Sequence, residues 1–326
     1  MLIMYRGEKV GLNVKRSAVV SLKNKMELDK KGVGVNFNGQ NLEDILDSLN
    51  KGKNNNKNID NGQELSLVDL KTVHHNFCKE VLWESLKNMN PPYDMNSDGP
   101  NKTKAVEAYE NYEPGFLEKI FKFLQAKKKE ELFSYIDDAQ KKDEALCADY
   151  KKINELSSRI IEGDIDCYFQ VIDEMKPFHV LLQLGSEIEI GTNSSDSMEV
   201  EFKANSENVI PRSRFNKEIV CDEEQDTTYY ELVEEYVCSS ILLIAKNIMN
   251  LLPVNKVVVH GVDNVINIDS GMKNDTTILS IVFDRETLNK INMKTINPVD
   301  AFDYFICNMR HQKASGFKSV ERIVQY

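Results

Sequence analysis

Apolar residues recur at helical spacing through residues 228–252, and Pro253 with a run of valines follows closely. Two apolar stripes share this stretch, so its hydrophobic arc is wider than that of a helix with one side in water. The first stripe contains Val233, Val237, Ile241, Ile244, Ile248 and Leu251, and the second contains Cys238, Leu242, Ala245, Met249 and Leu252. The pattern predicts a central helix covered from two sides. Lys246 and Asn247 interrupt the apolar run, which falls short of the ~20 residues that a membrane span requires.

Strand-like segments flank this helix in the predicted C-terminal domain, residues 177–326. They are short, apolar or alternating, and bounded by turn-forming residues. The predicted strands are 179–193, read from HVLLQL and the following EIEIGTN, then 198–203, 254–268 and 276–283. Asn297 followed by Pro298 indicates a last helix, whose predicted buried face comprises Val299, Phe302, Phe305, Ile306 and Met309. The predicted order is β-β-α-β-β-α, and the fold class is α+β.

Residues 65–176 predict a helical middle region. A first helix is predicted from Ser66 to the Pro91-Pro92 pair, because a serine favours a helix start and prolines end one. Another helix is predicted to begin at Pro114. The inward stripes are Leu70, Val73, Phe77 and Val81 in the first helix, and Phe116, Ile120, Phe123 and Leu124 in the second.

The segment 127–162 carries a heptad pattern typical of a coiled coil. Its positions are spaced alternately by four and three residues: Leu132, Ile136, Ala139, Asp143, Leu146, Tyr150, Ile153, Ser157 and Ile160. Asp143 and Ser157 are defects in this seam. A helix this long needs a partner, which is either the preceding helices folded back as a hairpin or a second copy of the chain. The hairpin is favoured, and whether the stretch is one helix or two stays open.

The N-terminal residues 1–47 combine short alternating segments with positive charge, and predict a small β-rich basic region. The first 41 residues contain eight lysines and arginines but three acidic residues. The candidates for contact with nucleic acid or an acidic partner are Lys15, Arg16, Lys23 and Lys25, although such charges more often solubilise a domain. Residues 48–64 are rich in asparagine, lysine and glycine, which bury little surface, so we predict a disordered linker there.

The overall composition narrows the function classes. A net charge of −11 argues against a dedicated nucleic-acid-binding protein. The six cysteines lack metal-ligand or redox spacing, which is typical of free thiols in a reducing cytosol. The N-terminus has no apolar signal segment, and abundant asparagine and lysine suggest a bacterial source, so a cytoplasmic bacterial protein is expected. No phosphate-binding loop, zinc-protease motif or nucleophile elbow is present.

The sharpest catalytic candidate combines Asp196, Glu201 and Lys203. This set resembles the site of restriction-endonuclease-like nucleases, where carboxylates hold Mg²⁺ and a lysine positions or activates water. Glu187 and Glu189 would lie on the neighbouring strand. The same alternation describes the solvated face of any half-exposed strand, and that interpretation is favoured. Mg²⁺ is the one cofactor considered, and only under the nuclease interpretation.

Histidines supply a second set of candidates. His260 with Asp263, near Asp284, has the chemistry for acid–base catalysis or metal binding. His260 also ends an apolar run, where a hydrogen-bonded structural histidine is more usual. His74 and His75 are adjacent on a predicted helix and point about 100° apart, so they do not chelate one ion together. No resident metal is predicted.

Several segments resemble an uncharacterised bacterial protein family, a domain of unknown function. They are TILSIVFDRETLNKINMKTINPVDAFDYF from Thr277, GFKSVE from Gly316, YEPGF from Tyr112, MEVEF from Met198 and YVC from Tyr236. The resemblance covers roughly residues 82–321, and the family's members often carry a small β-rich N-terminal module. It carries no catalytic residues over. The family tends to an acidic residue at the position of Lys203, which counts against the nuclease interpretation.

The expected function is a non-catalytic protein-interaction or scaffold protein. Its long helix, 127–162, is expected to meet a protein partner or a second copy of the chain. The alternative is a metal-dependent nuclease of the restriction-endonuclease-like type, in a defence or mobile-element context. Nucleic acid is a less favoured partner, and no membrane association is expected.

Overall fold

A computed structural model describes residues 18–22, 67–212, 222–266 and 272–324 of the chain. Contacts divide the chain into two compact units. The described residues of the first unit are 18–22, 67–81, 162–212, 222–266 and 272–324. The described residues of the second unit are 82–161. The predicted helical region 65–176 is therefore shared between the two units. The predicted basic region 1–47 and linker 48–64 lie outside the described residues, apart from one strand at 18–22.

The first unit contains every strand that the described ranges include. The strands are β1 (Ala18–Leu22), β2 (Glu187–Ser194), β3 (Ser197–Lys203), β4 (Lys256–Ile266), β5 (Lys273–Asp284), β6 (Ile306–Met309), β7 (His311–Gln312) and β8 (Gly316–Phe317). Its helices are α1 (Leu67–Lys71), α6 (Ile165–Met175), α7 (His179–Gln183), α8 (Ser206–Val209), α9 (Asp222–Leu251) and α10 (Arg285–Lys290). Short 3-10 helices form at Val73–Asn76 and Asp300–Tyr304. None of the helices in the described ranges is both long and apolar enough to cross a bilayer.

One mixed sheet organises the first unit, in the order β1-β2-β3-β4-β5-β6. Neighbouring strands are antiparallel except β3 and β4, which are parallel. A parallel pair needs a long crossover connection, and α9 lies in that connection. The α+β class predicted from the sequence is confirmed.

The inner face of the sheet is apolar and covered by α9. Met198, Val200 and Phe202 of β3 are buried there, while the intervening residues point to the outer face. A Cβ atom at Gly261 would lie 3.0 Å from Cδ1 of Ile241. The β4 backbone therefore runs close beneath α9, which favours glycine at this position.

The other flank of α9 is covered by α1, the 3-10 helix at 73–76 and α6. Asn247, which interrupts the apolar stripes, accepts from the Cys78 N–H at 2.8 Å and donates to the Pro177 carbonyl at 2.7 Å. Asn250 donates to the Cys78 carbonyl, and its own carbonyl accepts from the Val81 N–H. Asn247 and Asn250 thus satisfy backbone groups of the non-helical segment after Asn76 and of Pro177.

The predicted single helix from Ser66 to Pro91 is wrong, because the chain is not helical between Asn76 and Trp83. The chain forms α1, a 3-10 helix, the non-helical residues 77–82 and then α2 (Trp83–Lys87). The apolar spacing of Phe77 and Val81 is compatible with a helix, but hydrogen bonds with Asn247 and Asn250 of α9 hold this backbone in a non-helical conformation. Tertiary contacts override local periodicity here.

Two predictions about the C-terminal domain are also wrong. Residues 179–184 form helix α7 and its cap instead of a strand, and Gly185, with φ +98°, follows the helix. The helix predicted after Asn297 is a single 3-10 turn. Residues 306–309 pair with β5 as an edge strand, so Ile306 is 70% exposed instead of buried.

The second unit is helical, with α2, α3 (Pro100–Glu110), α4 (Phe116–Ile120) and α5 (Lys122–Ile161). The 40 residues of α5 form one continuous helix about 60 Å long. The preceding helices α2 and α3 pack against it, which is the fold-back arrangement that the sequence favoured over a second copy. The seam residues of the heptad pattern are buried or half-buried.

Both defects in the heptad seam have a structural role. Asp143 is buried, and its carboxylate accepts from the backbone N–H groups of Asn101 and Lys102 at 3.2 and 2.8 Å, at the first turn of α3. The Ser157 hydroxyl donates to the Ile153 carbonyl one turn earlier. Asp143 therefore caps α3 from another helix, because the orphan N–H groups of a helix start favour an acidic partner.

Candidate functional site

The nuclease candidates lie along β3 but do not form one cluster. Asp196 occupies the β2–β3 turn, where its carboxylate accepts from the Asn255 side-chain amide at 2.6 Å. Glu201 lies five positions further along the chain, or about 16 Å at the rise of an extended strand. Within the described ranges, no group of three or more His, Cys, Asp or Glu side chains is placed to hold a metal ion.

Glu201 and Lys203 do share the outer face of β3, as the alternation predicts. Each has its own ion-pair partner: Arg322 binds Glu201, and Asp275 Oδ2 lies 2.6 Å from the Lys203 ammonium. The hydrogen bond to Asp275, the largest cause, raises the pKa of Lys203, and the same bond lowers the pKa of Asp275. Both groups are therefore charged and paired, so Lys203 is not available as a proton acceptor.

His260 lies on the outer face of β4, in register with Glu201. Its Nδ1 is 2.9 Å from the Ser280 hydroxyl and its Nε2 is 3.1 Å from a Glu199 carboxylate oxygen. The hydrogen bond to His260 is the largest cause that lowers the pKa of Glu199. Serine, histidine and carboxylate thus form a continuous hydrogen-bonded chain.

The grouping of His260 with Asp263 and Asp284 is wrong. Asp263 is buried and accepts from the Ser206 and Asn264 N–H groups at 3.2 and 2.9 Å. Burial is the main cause that raises its pKa. Asp284 caps α10 through the Thr287 N–H at 2.8 Å. The carboxylate partner of His260 is Glu199, and only the parallel register of β3 and β4 places it there.

The C-terminal segment 318–324 covers this hydrogen-bonded chain. The Ile323 N–H donates to the Ser280 hydroxyl at 2.9 Å, and the Val320 N–H donates to the Thr277 carbonyl at 2.9 Å. Arg322 adds a bond from Nε to the Thr277 hydroxyl at 3.0 Å. Ser280 is fully buried as a result. Its hydroxyl is hydrogen-bonded to both His260 and Ile323. Ser280 is therefore part of a structural network and not an exposed nucleophile.

His74 is a packed residue and not a ligand. Its Nδ1 lies 2.7 Å from the Ser239 hydroxyl on α9, and its ring meets that of His75 edge-on at 4.4 Å between centroids. Burial, followed by the charge of His75, lowers the pKa of His74 to about 4. It is therefore neutral at pH 7.

The second unit presents a surface that sequence reasoning missed. The stripe Phe116, Ile120, Phe123 was predicted to point inward, yet these side chains are exposed, and so are Phe121, Phe133 and Tyr135. Periodicity identifies one face of a helix but does not tell which neighbour covers it. Clusters of exposed apolar side chains are typical of binding surfaces.

An open groove of about 460 Å³ lies beside Tyr135, between α3 and α5. It is lined by Asn101, Ala105, Tyr135, Asp138, Ala139, Lys141 and Lys142. Phe133, two positions before Tyr135 and therefore on another side of the helix, is also exposed, and its ring lies edge-on to that of Tyr109 at 6.3 Å. We refer to Tyr109, Phe133, Tyr135 and this groove as the Phe133 surface.

Comparison of the chain with family models, with curated proteins and with solved structures gives no match. The resemblance to an uncharacterised bacterial family therefore stays an expectation. The binding candidates Lys15, Arg16, Lys23 and Lys25 lie outside the described residues.

Proposed function

We propose that the protein is a non-catalytic interaction protein whose second unit pairs with a second copy of the same chain through α5. The observation that carries the proposal is the exposure of Phe133 and Tyr135, at 66% and 52%, with an open groove beside Tyr135. Burying such side chains against another surface is favourable by about 25 cal/mol for each Å² of apolar area removed from water.

The charge pattern of α5 favours a copy of the same chain as the partner. The helix carries nine basic and eight acidic side chains, whereas the whole chain has a net charge of −11. A surface with intermixed charges of both signs can complement itself when two copies meet antiparallel about a two-fold axis. Phe133 of each copy would then lie near the groove of the other.

Sedimentation equilibrium over a wide range of protein concentration tests this proposal. We expect a reversible dimer that the double substitution Phe133→Ser with Tyr135→Ser weakens by about 30-fold, the effect of losing a central aromatic anchor. Tyr304→Ser is the matched control, since Tyr304 is a similarly exposed aromatic residue of the first unit. A monomer at every concentration, or a dimer that the double substitution leaves unchanged, would refute the proposal.

The contacts of the three nuclease candidates do not favour the nuclease alternative. Asp196 lies at the far end of β3 from Glu201 and Lys203, and each of the three has a separate partner. Incubating the protein with Mg²⁺ and plasmid DNA or RNA tests for nuclease activity. Cleavage that disappears in Glu201→Ala would restore the nuclease.

A further inference from the structure

We propose that the corner between α4 and α5 binds the surface of anionic lipid bilayers. The surface consists of Phe116, Lys119, Ile120, Phe121, Lys122, Phe123, Lys127 and Lys129, which we name the lysine–phenylalanine patch. It is separate from the Phe133 surface, so the inference goes beyond the proposed function.

The apolar half of the patch stands out into solvent. Phe116, Ile120, Phe121 and Phe123 are 80%, 56%, 48% and 67% exposed. They lie within eight residues because Phe121 alone separates the end of α4 from the start of α5. The rings of Phe121 and Phe123 pack edge-on at 6.1 Å. Large side chains concentrated on a short corner are typical of segments that insert into the boundary between headgroups and acyl chains.

The charged half of the patch is basic in an otherwise acidic protein. Residues 115–129 contain five lysines and one acidic residue, Glu118, while the chain has a net charge of −11. Lys119, Lys122, Lys127 and Lys129 are exposed, and none forms a salt bridge within the described part of the chain. These charges are therefore available to an anionic partner.

The one carboxylate in this stretch is already engaged. Glu118 accepts from the Gly115 N–H at 2.7 Å and from the Tyr112 hydroxyl at 2.8 Å. The backbone hydrogen bond from Gly115 is the largest cause that lowers its pKa. Glu118 thus fixes the start of α4, and as the single carboxylate of residues 115–129 it leaves the five lysines in excess.

The form of the patch favours a bilayer over an acidic protein. Its large apolar side chains are exposed on a short corner, and an interfacial lipid layer accommodates such side chains without a matching shape. Lysine stems lie along the apolar zone while their ammonium groups reach the phosphates. Between α4 and α5 an open groove of about 580 Å³ is lined by Gly115, Phe116, Glu118, Leu124, Lys127, Lys128 and Glu131, and Lys128 forms an ion pair with Glu131 at 3.0 Å. The groove thus places apolar side chains beside Lys127, while the ammonium group of Lys128 is already paired.

Co-sedimentation of the full chain with vesicles tests the inference. The vesicles are made of phosphatidylcholine alone or with added phosphatidylserine. We expect binding to the anionic vesicles only, and weaker binding at high salt. Lys119→Gln with Lys122→Gln is expected to weaken it by about 25-fold, since each lysine near an anionic surface contributes about five-fold. Phe116→Ser with Phe123→Ser is expected to weaken it by about ten-fold or more.

The matched control is Lys151→Gln with Lys152→Gln, which makes the same charge change at exposed positions of α5 and is expected to leave binding unchanged. The inference is overturned if the chain stays in solution with anionic vesicles or binds neutral vesicles equally. It is also overturned if the control pair weakens binding as much as the patch pair, or if polyglutamate is bound while vesicles are not. Dimer formation, measured separately, reports on the Phe133 surface and not on this patch.

Discussion

Replacing Asp143 by asparagine removes the carboxylate that caps α3 from outside the helix. Asp143 is 2% exposed. It accepts from the Asn101 N–H at 3.2 Å, from the Asn101 side-chain amide at 2.8 Å and from the Lys102 N–H at 2.8 Å. All of these donors stay in place in the variant. Asparagine offers one acceptor oxygen, and its NH₂ group must face a donor.

The expected loss follows from those contacts. A hydrogen bond to a charged group contributes about 1.5–3 kcal/mol, and an unpaired buried donor costs about 1–3 kcal/mol. At least one donor becomes unpaired and the remaining bonds lose their charge assistance. We therefore expect Asp143→Asn to lower the free energy of unfolding of the second unit by about 3 kcal/mol.

The chain offers a specific probe for this measurement. Trp83 is the one tryptophan in the sequence, and it lies on α2, which packs against α5 in the same unit. Its fluorescence in urea reports the unfolding of that unit. With a slope of about 2 kcal/mol per molar urea, the midpoint falls by about 1.5 M. Asp138→Asn is the control at an exposed position of the same helix, and equal midpoints for the two variants would refute the capping role.

Two further predictions concern the first unit. Burial, the largest cause, lowers the pKa of His74 from 6.5 to about 4, so between these values the unfolded chain binds a proton that the folded chain does not. The free energy of unfolding then decreases as pH falls through this window, by about 3 kcal/mol in total. His74→Gln is expected to reduce the difference between urea midpoints at pH 7 and pH 4, measured by circular dichroism, and an unchanged difference would contradict the assignment. Asn247→Leu leaves the Cys78 N–H and Pro177 carbonyl without their partner and is expected to cost about 2–4 kcal/mol in the same assay. A loss below about 0.5 kcal/mol would show that water or a shifted backbone replaces both bonds.

The central helix was predictable because its signal is local. Two apolar stripes on one stretch require cover on two sides, and α9 is buried on both and ends before Pro253. The strand β3 was equally readable from its alternation. The pairing of β3 with β4 was not, because the sequence carries no mark of a parallel register between strands joined through a helix.

The candidate site was harder to predict because its contacts are distant in sequence. The outer-face positions of Glu201 and Lys203 follow from the strand period, but Arg322 lies 121 residues from Glu201. Short apolar runs misled the prediction for residues 179–184, since a run of this length fits a strand or a helix. The heptad defect at Asp143 was the informative anomaly. A buried acidic residue in an apolar seam indicates a donor nearby, although the pattern does not identify α3 as its source.

The second unit interrupts the chain of the first. Residues 67–81 precede it, yet Cys78 pairs with Asn247, which lies 169 residues later. During synthesis on a ribosome, 82–161 emerges complete before β2 to β6 exist, and domains generally fold as units in that order. Once folded, this helical insert shortens the flexible loop whose ends must meet, and each halving of that loop lowers the closure cost by about 0.6 kcal/mol. Folding of the insert therefore lowers the entropic cost of bringing Cys78 to Asn247.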